Sequence, residues 1–260
     1  MAMGSMIDRA WRLCGTGISF AVFGIGGLIL ALFMLPLVSV FSKDEETRTR
    51  RVRSLVCRSF RGFLWLMHAL GVADFIVDPK GNEKLSRRGG MIVIANHPTL
   101  IDVVQLLAQI EYGNCIVKRA MWNNLFLGRV VRAANYISNS DSEELLSKCV
   151  DVLGRGETLV IFPEATRTVP GHAMKLHRGA AHIALAAGVP VQLVHLTCNP
   201  STLSKAEHWY EIPPKRPCFQ LKVGDTLDVG EFLVRGEHRS LASRRLTRVL
   251  CRTLMSSESD

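Results

Sequence analysis

The feature that most restricts the fold is an uncharged stretch near the amino terminus. No charged residue lies between Arg12 and Lys43, and the stretch contains the apolar sequence ISFAVFGIGGLILALFMLPLVSVF. It is long enough to cross a hydrocarbon core of about 30 Å as a helix. Because it is too long for the apolar part of a secretory signal and lacks a small-residue cleavage site, we expect it to be retained. The sequence therefore predicts a membrane-associated helical segment.

The arrangement of this segment is open at the level of sequence. Glycines and a proline interrupt the apolar stretch, and residues 55–70, LVCRSFRGFLWLMHAL, form a second amphipathic run. The first run could span the bilayer alone, or the two runs could form a hairpin in one leaflet. We therefore predict a membrane anchor of one of these two kinds over residues 1–70 and a second domain over residues 71–260.

Charge predicts the orientation of the anchor and the kind of partner. Six arginines fall within residues 48–61 after the apolar stretch, whereas only Arg9 and Arg12 precede it. The positive-inside rule then places the domain on the cytoplasmic side of an inner or plasma membrane. The formal net charge of +9 suits nucleic acid or an anionic membrane. Because the arginines lie beside the apolar stretch and in the C-terminal segment with little aromatic interleaving, we expect membrane lipids and no nucleic acid.

Cysteine usage argues against a metal centre. The seven cysteines are spread singly, with no CxxC pair and no histidine at ligand spacing. Such spacing favours reduced thiols over zinc ligands or a disulfide framework. We therefore predict no metal site.

From about Val72 onward, short apolar runs alternate with helical patterns. MIVIAN precedes LIDVVQLLAQI, NCIVK precedes LFLGRVVRAA, and TLVIFPE precedes HRGAAHIALAAG. This alternation predicts an α/β domain with a mixed, largely parallel sheet flanked by helices. Ligands of such sheets bind outside the carboxyl ends of the strands. The last segment, RSLASRRLTRVLCRTLM, is predicted to pack on the domain as a helix, with a membrane-surface contact as the alternative.

The stretch ANHPTLID, residues 95–102, lies at one such strand end. Thr99 could cap a helix with Asp102 at its third position, a variant of the capping box. Alternatively, His97 acts as a general base while Asp102 holds its second ring nitrogen. Five residues of regular helix turn by about 500°, so the catalytic arrangement requires His97 to lie in the loop before the helix. The stretch alone does not decide between the two interpretations.

A second stretch, IFPEATRT at residues 161–168, brings a carboxylate and a guanidinium to the same predicted edge. A local ion pair between Glu164 and Arg167 is the simpler interpretation of this stretch taken alone. Together, however, NHPTLID and FPEATRT resemble the NH-x-S-x-x-D and FPEGTRS blocks of the glycerolipid acyltransferase family, which includes the lysophosphatidic acid acyltransferases. The segment KLHRGAAHIALAAGVPVQLV at residues 175–194 resembles the family's following segment. The resemblance covers roughly residues 70–225.

The resemblance implies a reaction and roles for individual residues. An acyl group would move from a thioester of coenzyme A or acyl carrier protein to a lipid hydroxyl, with no bound cofactor and no acyl-enzyme. His97 would be the general base and Asp102 would orient it. Arg167 would bind an acceptor phosphate, and Glu164 would fix Arg167 or contact an acceptor hydroxyl.

Three further assignments complete the predicted site. Thr166 belongs to the same substrate-binding block. Lys118 would add positive potential, although a solvated surface lysine is an equal alternative. Backbone amides near Pro98 to Leu100 are candidates for stabilising the oxyanion.

The sequence also departs from the family pattern. Ser138 and Asn139 stand where the family commonly has Asp and Arg, and that arginine helps to hold the acceptor phosphate; Arg129 or Arg132 could replace it. Ala165 replaces the glycine of the FPEGTRS block. We therefore expect a membrane-bound O-acyltransferase acting on a lysophosphatidic-acid-like hydroxyl in phospholipid biosynthesis. The alternatives are an acyltransferase with another hydroxylated lipid acceptor and a non-catalytic lipid-binding member of the family.

Overall fold

A computed structural model of the chain describes residues 2–86, 89–124, 127–139, 142–168, 174–233 and 238–256. The helices are α1 (Ala2–Ile29), α2 (Leu35–Val40), α3 (Glu45–Ala69), α4 (Pro79–Leu85), α5 (Asp102–Leu107), α6 (Arg119–Trp122), α7 (Gly128–Ala133), α8 (Ser142–Gly154), α9 (Gly179–Ala187) and α10 (Arg239–Ser256). A π-helical turn, Leu30–Met34, joins α1 to α2, and a short 3-10 helix, Val229–Phe232, precedes α10.

Among the described residues, seven strands form one sheet. They are β1 (Asp74–Val77), β2 (Met91–Ala95), β3 (Asn114–Val117), β4 (Ile137–Ser138), β5 (Thr158–Ile161), β6 (Val191–Asn199) and β7 (Cys218–Leu227). Their order across the sheet is β1-β7-β6-β2-β5-β3-β4. Only the β6–β7 pairing is antiparallel. The prediction of a mixed, largely parallel sheet flanked by helices is confirmed.

Strand β2 lies at the centre of the sheet and is buried along its whole length. Successive side chains of a strand point to opposite faces. Val93 and Ala95 accordingly join a cluster with α3, α5 and α7, whereas Ile92 and Ile94 join a cluster with α8, α9 and α10. The loop that follows β2 is thus held by helical layers on both faces and has β5 and β6 as its neighbours.

Helices α1 and α2 form one long apolar element that lies against the domain. Residues Met6–Val40 are the one helical stretch among the described residues that is long and apolar enough to cross a membrane. One side of this element is nevertheless buried, including Arg12 at 1% exposure, Ser19 and Ala31. The other side exposes a row of large apolar side chains. They are Ile7, Trp11, Ile18, Val22, Ile25, Ile29, Leu32, Phe33 and Val40.

Helix α3 is part of the domain core. Asp44 begins it by accepting a hydrogen bond from the Thr47 backbone N–H at 2.7 Å, which satisfies one of the free amides of the first turn. Val52 and Val56 pack in the cluster beneath the sheet. The segment predicted as an anchor and the domain predicted for residues 71–260 therefore share a hydrophobic core.

A buried arginine connects α3 to the middle of the chain. The Arg53 guanidinium is 4% exposed, pairs with Glu157, and donates to the backbone carbonyls of Tyr112, Ala134 and Asn135. Burial would raise the pKa of Glu157, but hydrogen bonds and charge from Arg53 and Arg155 lower it below the ordinary value of 4.5. The pair thus contributes stability in its ionised form.

Helix α10 packs on the sheet as predicted. Leu246, Leu250 and Leu254 are fully buried in the cluster with α8 and α9, and Arg244, Arg248 and Arg252 are exposed. Helix α9 ends at Gly188, whose φ of 63° is the left-handed conformation that terminates many helices.

Changing Glu157 to Gln is expected to lower the free energy of unfolding by about 1.5–3 kcal/mol, because a buried guanidinium loses its charged partner. A group whose pKa is lowered by folding contributes stability above its unfolded pKa, and this is lost as the pH falls through the folded value. The variant should therefore lose part of the acid-dependent destabilisation below pH 4.5. Urea titration in detergent at several pH values measures both effects.

The matched control is Glu144→Gln, since Glu144 is 59% exposed and pairs with Lys148 one helical turn away. It should change the free energy of unfolding by no more than about 0.5 kcal/mol. Equal effects of the two substitutions would contradict a specific role for the Arg53–Glu157 pair.

Candidate active site

The chain leaves β2 through a buried asparagine. The Asn96 side chain donates to the Leu196 carbonyl at 2.8 Å and accepts from the Leu196 N–H at 2.7 Å. This amide therefore extends the pairing of β2 with β6 by one position after the strand has ended. The next residue, His97, enters the loop with its direction set, because Asn96 is 2% exposed and both of its polar groups are bonded.

His97 and Asp102 lie in contact at the start of α5. The Nδ1 atom of His97 is 2.9 Å from Oδ2 of Asp102, whose side chain is 1% exposed. The same carboxylate accepts hydrogen bonds from the Thr99 backbone N–H at 2.5 Å and from the Thr99 hydroxyl at 2.6 Å. His97 lies in the loop, as the catalytic interpretation requires. Asp102 also accepts from the Thr99 N–H as a capping box would, so the two interpretations describe one arrangement.

The other ring nitrogen of His97 is left for a ligand. A carboxylate can only accept, so contact with Asp102 places the imidazole proton on Nδ1 and leaves Nε2 as an acceptor. No residue in the described part of the chain makes a hydrogen bond with Nε2, and the His97 side chain is 17% exposed. The Phe162 ring packs on the imidazole with centroids 4.7 Å apart. The ring is thus held on one edge by Asp102 and on one face by Phe162.

Glu164 holds the backbone of His97. Its Oε1 accepts from the His97 N–H at 2.9 Å, and its Oε2 accepts from the Thr168 hydroxyl at 2.6 Å. The Thr168 N–H in turn donates to the His97 carbonyl at 2.8 Å. Glu164 is 6% exposed and forms no ion pair with Arg167 in the described part of the chain. Of the two roles expected for Glu164, the contact with Arg167 is wrong, because the carboxylate turns toward the loop after the neighbouring strand β2.

Arg167 is held by the loop that follows β6. Its Nη1 donates to the carbonyls of Leu203 and Ser204 at 2.9 and 2.8 Å. The Leu203 carbonyl also accepts from the Leu100 N–H at 3.0 Å, and Leu203 has a φ of 55°. Leucine rarely adopts this left-handed conformation, which here accompanies a carbonyl shared by two donors. Nη1 is thus committed to the protein, whereas Nε and Nη2 make no hydrogen bond to a described residue.

The expectation that amides near Pro98 to Leu100 stabilise an oxyanion is wrong. Proline has no N–H, the Thr99 N–H donates to Asp102, and the Leu100 N–H donates to Leu203. These donors hold the loop and are not available to a substrate in this conformation.

The remaining predicted residues lie at the surface. Thr166 is exposed, and so is Ala165, whose φ is 56°. Lys118 is exposed at the end of β3, where its backbone begins the short helix α6. The structure does not bring Lys118 into contact with the His97 cluster.

The region that departs from the family pattern has structural roles. Asn139 accepts a hydrogen bond from the Arg119 N–H at 3.0 Å, and Ser138 pairs with Val117 between β4 and β3. Arg132 donates to the Trp122 carbonyl at 2.6 Å. Arg129 is exposed and makes no hydrogen bond to a described residue. Of the two arginines that could replace the family's phosphate-binding arginine, Arg129 is therefore the one with a free guanidinium.

No group of three or more His, Cys, Asp and Glu side chains within the described ranges has the arrangement of a metal site.

Three residues that the sequence did not indicate belong to the site: Asn96, Phe162 and Thr168. Each lies inside or at the edge of the two quoted blocks. Their contacts, however, depend on which strands are neighbours.

The chain is similar to known proteins in sequence and in fold. The Acyltransferase family model matches residues 76–196. A 1-acyl-sn-glycerol-3-phosphate acyltransferase of Cocos nucifera is 30% identical over 126 residues, which cover 45% of this chain and 40% of that protein. The 1-acyl-sn-glycerol-3-phosphate acyltransferase alpha of Mus musculus is 24% identical over 72% of this chain and 64% of that protein. The chain therefore spans less than two thirds of these relatives.

A solved structure extends the likeness to the whole fold. The 1-acyl-sn-glycerophosphate acyltransferase PlsC of Thermotoga maritima superposes with a TM-score of 0.66 at 20% identity, over 98% of each chain. At that identity the match concerns the fold alone. The family model and the curated relatives confirm the resemblance read from NHPTLID and FPEATRT, and the match of the family model spans residues 76–196.

Proposed function

We propose that the protein transfers a fatty acyl group from a thioester to the hydroxyl of a lysophosphatidic-acid-like lipid at a membrane. The observation that carries this proposal is the contact of His97 Nδ1 with the buried Asp102 carboxylate, with Nε2 left as the acceptor. This geometry is what a general base requires: a fixed imidazole with one nitrogen free to take a proton.

The proposed reaction is a direct displacement. The lipid hydroxyl gives its proton to Nε2 of His97 while its oxygen attacks the thioester carbonyl carbon. The C–S bond then breaks, and the leaving sulfur takes the proton back from the imidazolium. The products are the acylated lipid and a free thiol, on coenzyme A or acyl carrier protein. Asp102 stabilises the imidazolium between the two proton transfers, since its carboxylate contacts Nδ1 throughout.

Glu164 and Thr168 act as positioning residues in this proposal. They bond the backbone N–H and carbonyl of His97, so they fix the imidazole relative to β5. Displacing a catalytic group by about 1 Å can cost about 10²-fold in rate. The FPEATRT block therefore supports the base. Contact of this block with an acceptor is assigned to Arg167 and Thr166, and Lys118, after β3, would add positive potential.

The acceptor assignment rests on Arg167. Its Nε and Nη2 retain donors for a phosphate oxygen, although Nη1 is bonded to Leu203 and Ser204. A second candidate, a hydroxylated lipid without a phosphate, is favoured by that committed Nη1 and by Ser138 and Asn139, which supply no positive charge. Comparing the two kinds of acceptor separates them.

The membrane location is supported by the exposed row on α1 and α2. Large apolar side chains line one side of this element from Ile7 to Val40, while the opposite side packs on the domain. A helix covered on one side and apolar on the other suits a position in the plane of one leaflet. We therefore propose in-plane attachment at the cytoplasmic side, with acyl-CoA or acyl carrier protein as the soluble donor.

Replacing His97 with Ala is expected to lower kcat by about 10²- to 10⁴-fold, because the general base is lost. The assay incubates purified protein with acyl-CoA or acyl carrier protein thioesters and measures acyl transfer to lysophosphatidic acid, other lysolipids and unphosphorylated hydroxylated lipids. His182→Ala is the matched control, since His182 is exposed on α9. Full activity of the folded His97→Ala variant, or no transfer by the native chain to any acceptor, would contradict the proposal.

Glu164→Ala and Glu164→Gln distinguish positioning from substrate contact. Gln keeps an acceptor for the His97 N–H, so it should retain more activity than Ala, which should lower kcat by up to about 10²-fold. The KM for the acceptor should change little in either variant. A raised acceptor KM with unchanged kcat would instead show that Glu164 touches the acceptor.

Ala165→Gly is expected to raise the free energy of unfolding by about 0.5–1 kcal/mol. A left-handed Ala costs about 1–2 kcal/mol, and the greater freedom of Gly in the unfolded chain offsets part of the gain. Ala120→Gly in α6 is the control and should destabilise by up to about 1 kcal/mol. Urea titration measures both; destabilisation by Ala165→Gly would contradict the assigned strain.

A further inference from the structure

The loop between β6 and β7 exposes two large aromatic side chains. Within residues 204–217, here named the aromatic loop, Trp209 is 47% exposed and Tyr210 is 53% exposed. The Tyr210 ring stacks on His208 with centroids 5.1 Å apart, and the Trp209 ring lies edge-on to Tyr210 at 5.9 Å. The three rings form a compact group at the protein surface, and none of them contacts the His97 site.

The aromatic loop is fastened to α1. The Arg12 guanidinium, 1% exposed, donates to the backbone carbonyls of Pro213, Pro214 and Lys215. The Trp209 ring lies 3.7 Å from where a β-carbon on Gly17 would be, and its centroid is 6.4 Å from that of Phe20. The same guanidinium pairs with Asp8 at 2.9 Å, so a buried charge satisfied by one carboxylate and three carbonyls fixes the loop along this flank of the helix.

The group of rings continues the exposed apolar row of α1. Leu13, one helical turn before Gly17, is 38% exposed, and Ile18, directly after it, is 47% exposed. Lys205 and Lys215 of the aromatic loop are exposed, and so is Glu211, which follows Tyr210. Tryptophan and tyrosine are enriched where a bilayer meets water, and lysines favour an anionic membrane surface.

From this continuity we propose that the aromatic loop is a second membrane-contact element, with Trp209 and Tyr210 in the headgroup layer beside α1. The inference rests on the proposed in-plane attachment of α1 and adds a contact from the C-terminal half of the domain. It commits to a lipid bilayer as the occupant of this surface.

The aromatic loop also leads directly to the candidate active site. Its first residue, Ser204, and the preceding Leu203 accept the two hydrogen bonds from Arg167 Nη1. The Ser204 N–H donates to Glu207 at 2.9 Å, which closes the turn toward Trp209. Arg167 therefore fastens the membrane-contacting loop to the edge of the sheet that holds His97. The contact sets the depth of the imidazole relative to the lipid hydroxyls.

The test is fluorescence quenching of Trp209 by brominated lipid. The full chain carries Trp11→Phe, Trp65→Phe and Trp122→Phe, so that Trp209 is its single tryptophan. It is reconstituted in phosphatidylcholine and phosphatidylglycerol vesicles with bromine at a shallow or a deep acyl position. Trp209 is expected to shift its emission to shorter wavelength and to be quenched more strongly by the shallow bromine.

Two matched single-tryptophan chains complete the design. One carries Trp65→Phe, Trp122→Phe and Trp209→Phe, so that Trp11, on the exposed side of α1, is the reporter. The other has Phe at all four native tryptophan positions and carries Leu241→Trp, since Leu241 is exposed on α10. Trp11 should be quenched and the residue-241 reporter should not. If the triple variant does not fold, the difference in quenching between the native chain and Trp209→Phe gives the same quantity.

The outcomes separate this inference from the proposed function. A quenched Trp11 with Trp209 as unquenched as the residue-241 reporter overturns the contact of the aromatic loop and leaves the attachment of α1 intact. No quenching of either Trp11 or Trp209 overturns both the in-plane attachment and this inference.

Discussion

The site depends on one buried carboxylate that bonds three groups at once. Asp102 accepts from the Thr99 N–H, from the Thr99 hydroxyl and, through Oδ2, from Nδ1 of His97. The first two bonds close the turn into α5, and the third fixes the imidazole. A carboxylate at 1% exposure can be retained only when it is satisfied in this way. The bonds that shape the loop are therefore the same bonds that orient the candidate base.

The sheet supplies the second half of the arrangement. Because β2 lies between β5 and β6, the loop after β2 receives bonds from both neighbours. Asn96 is bonded to Leu196 of β6, and the backbone of His97 is bonded to Glu164 and Thr168 after β5. Arg167 extends this connection to Leu203 and the aromatic loop. The imidazole thus belongs to a continuous set of hydrogen bonds that runs from the sheet to the surface beside α1.

Sequence predicted the parts of this site that are local. The stretch ANHPTLID gave the contact of His97 with Asp102 as one of two interpretations, and the resemblance carried jointly with FPEATRT favoured it. The partner of Glu164 was assigned wrongly because Arg167 is near it in sequence, whereas His97 is near it only through the pairing of β2 with β5. The direction of Arg167 depends on the φ of 55° at Leu203, which a leucine gives no reason to expect. The Leu100 amide donates to Leu203, which only the folded chain brings close, whereas the Thr99 amide donates to Asp102 three residues along the chain.

The tautomer of His97 tests the central claim most directly. The chain is labelled with nitrogen-15 in its histidines, and the His97 signals are assigned by their absence in His97→Ala. In neutral imidazole we predict a protonated Nδ1, hydrogen-bonded to Asp102, and an unprotonated Nε2 able to accept the proton of a hydroxyl. A proton on Nε2, with Nδ1 unprotonated, would contradict the account, because the nitrogen assigned to the acceptor could not act as a base.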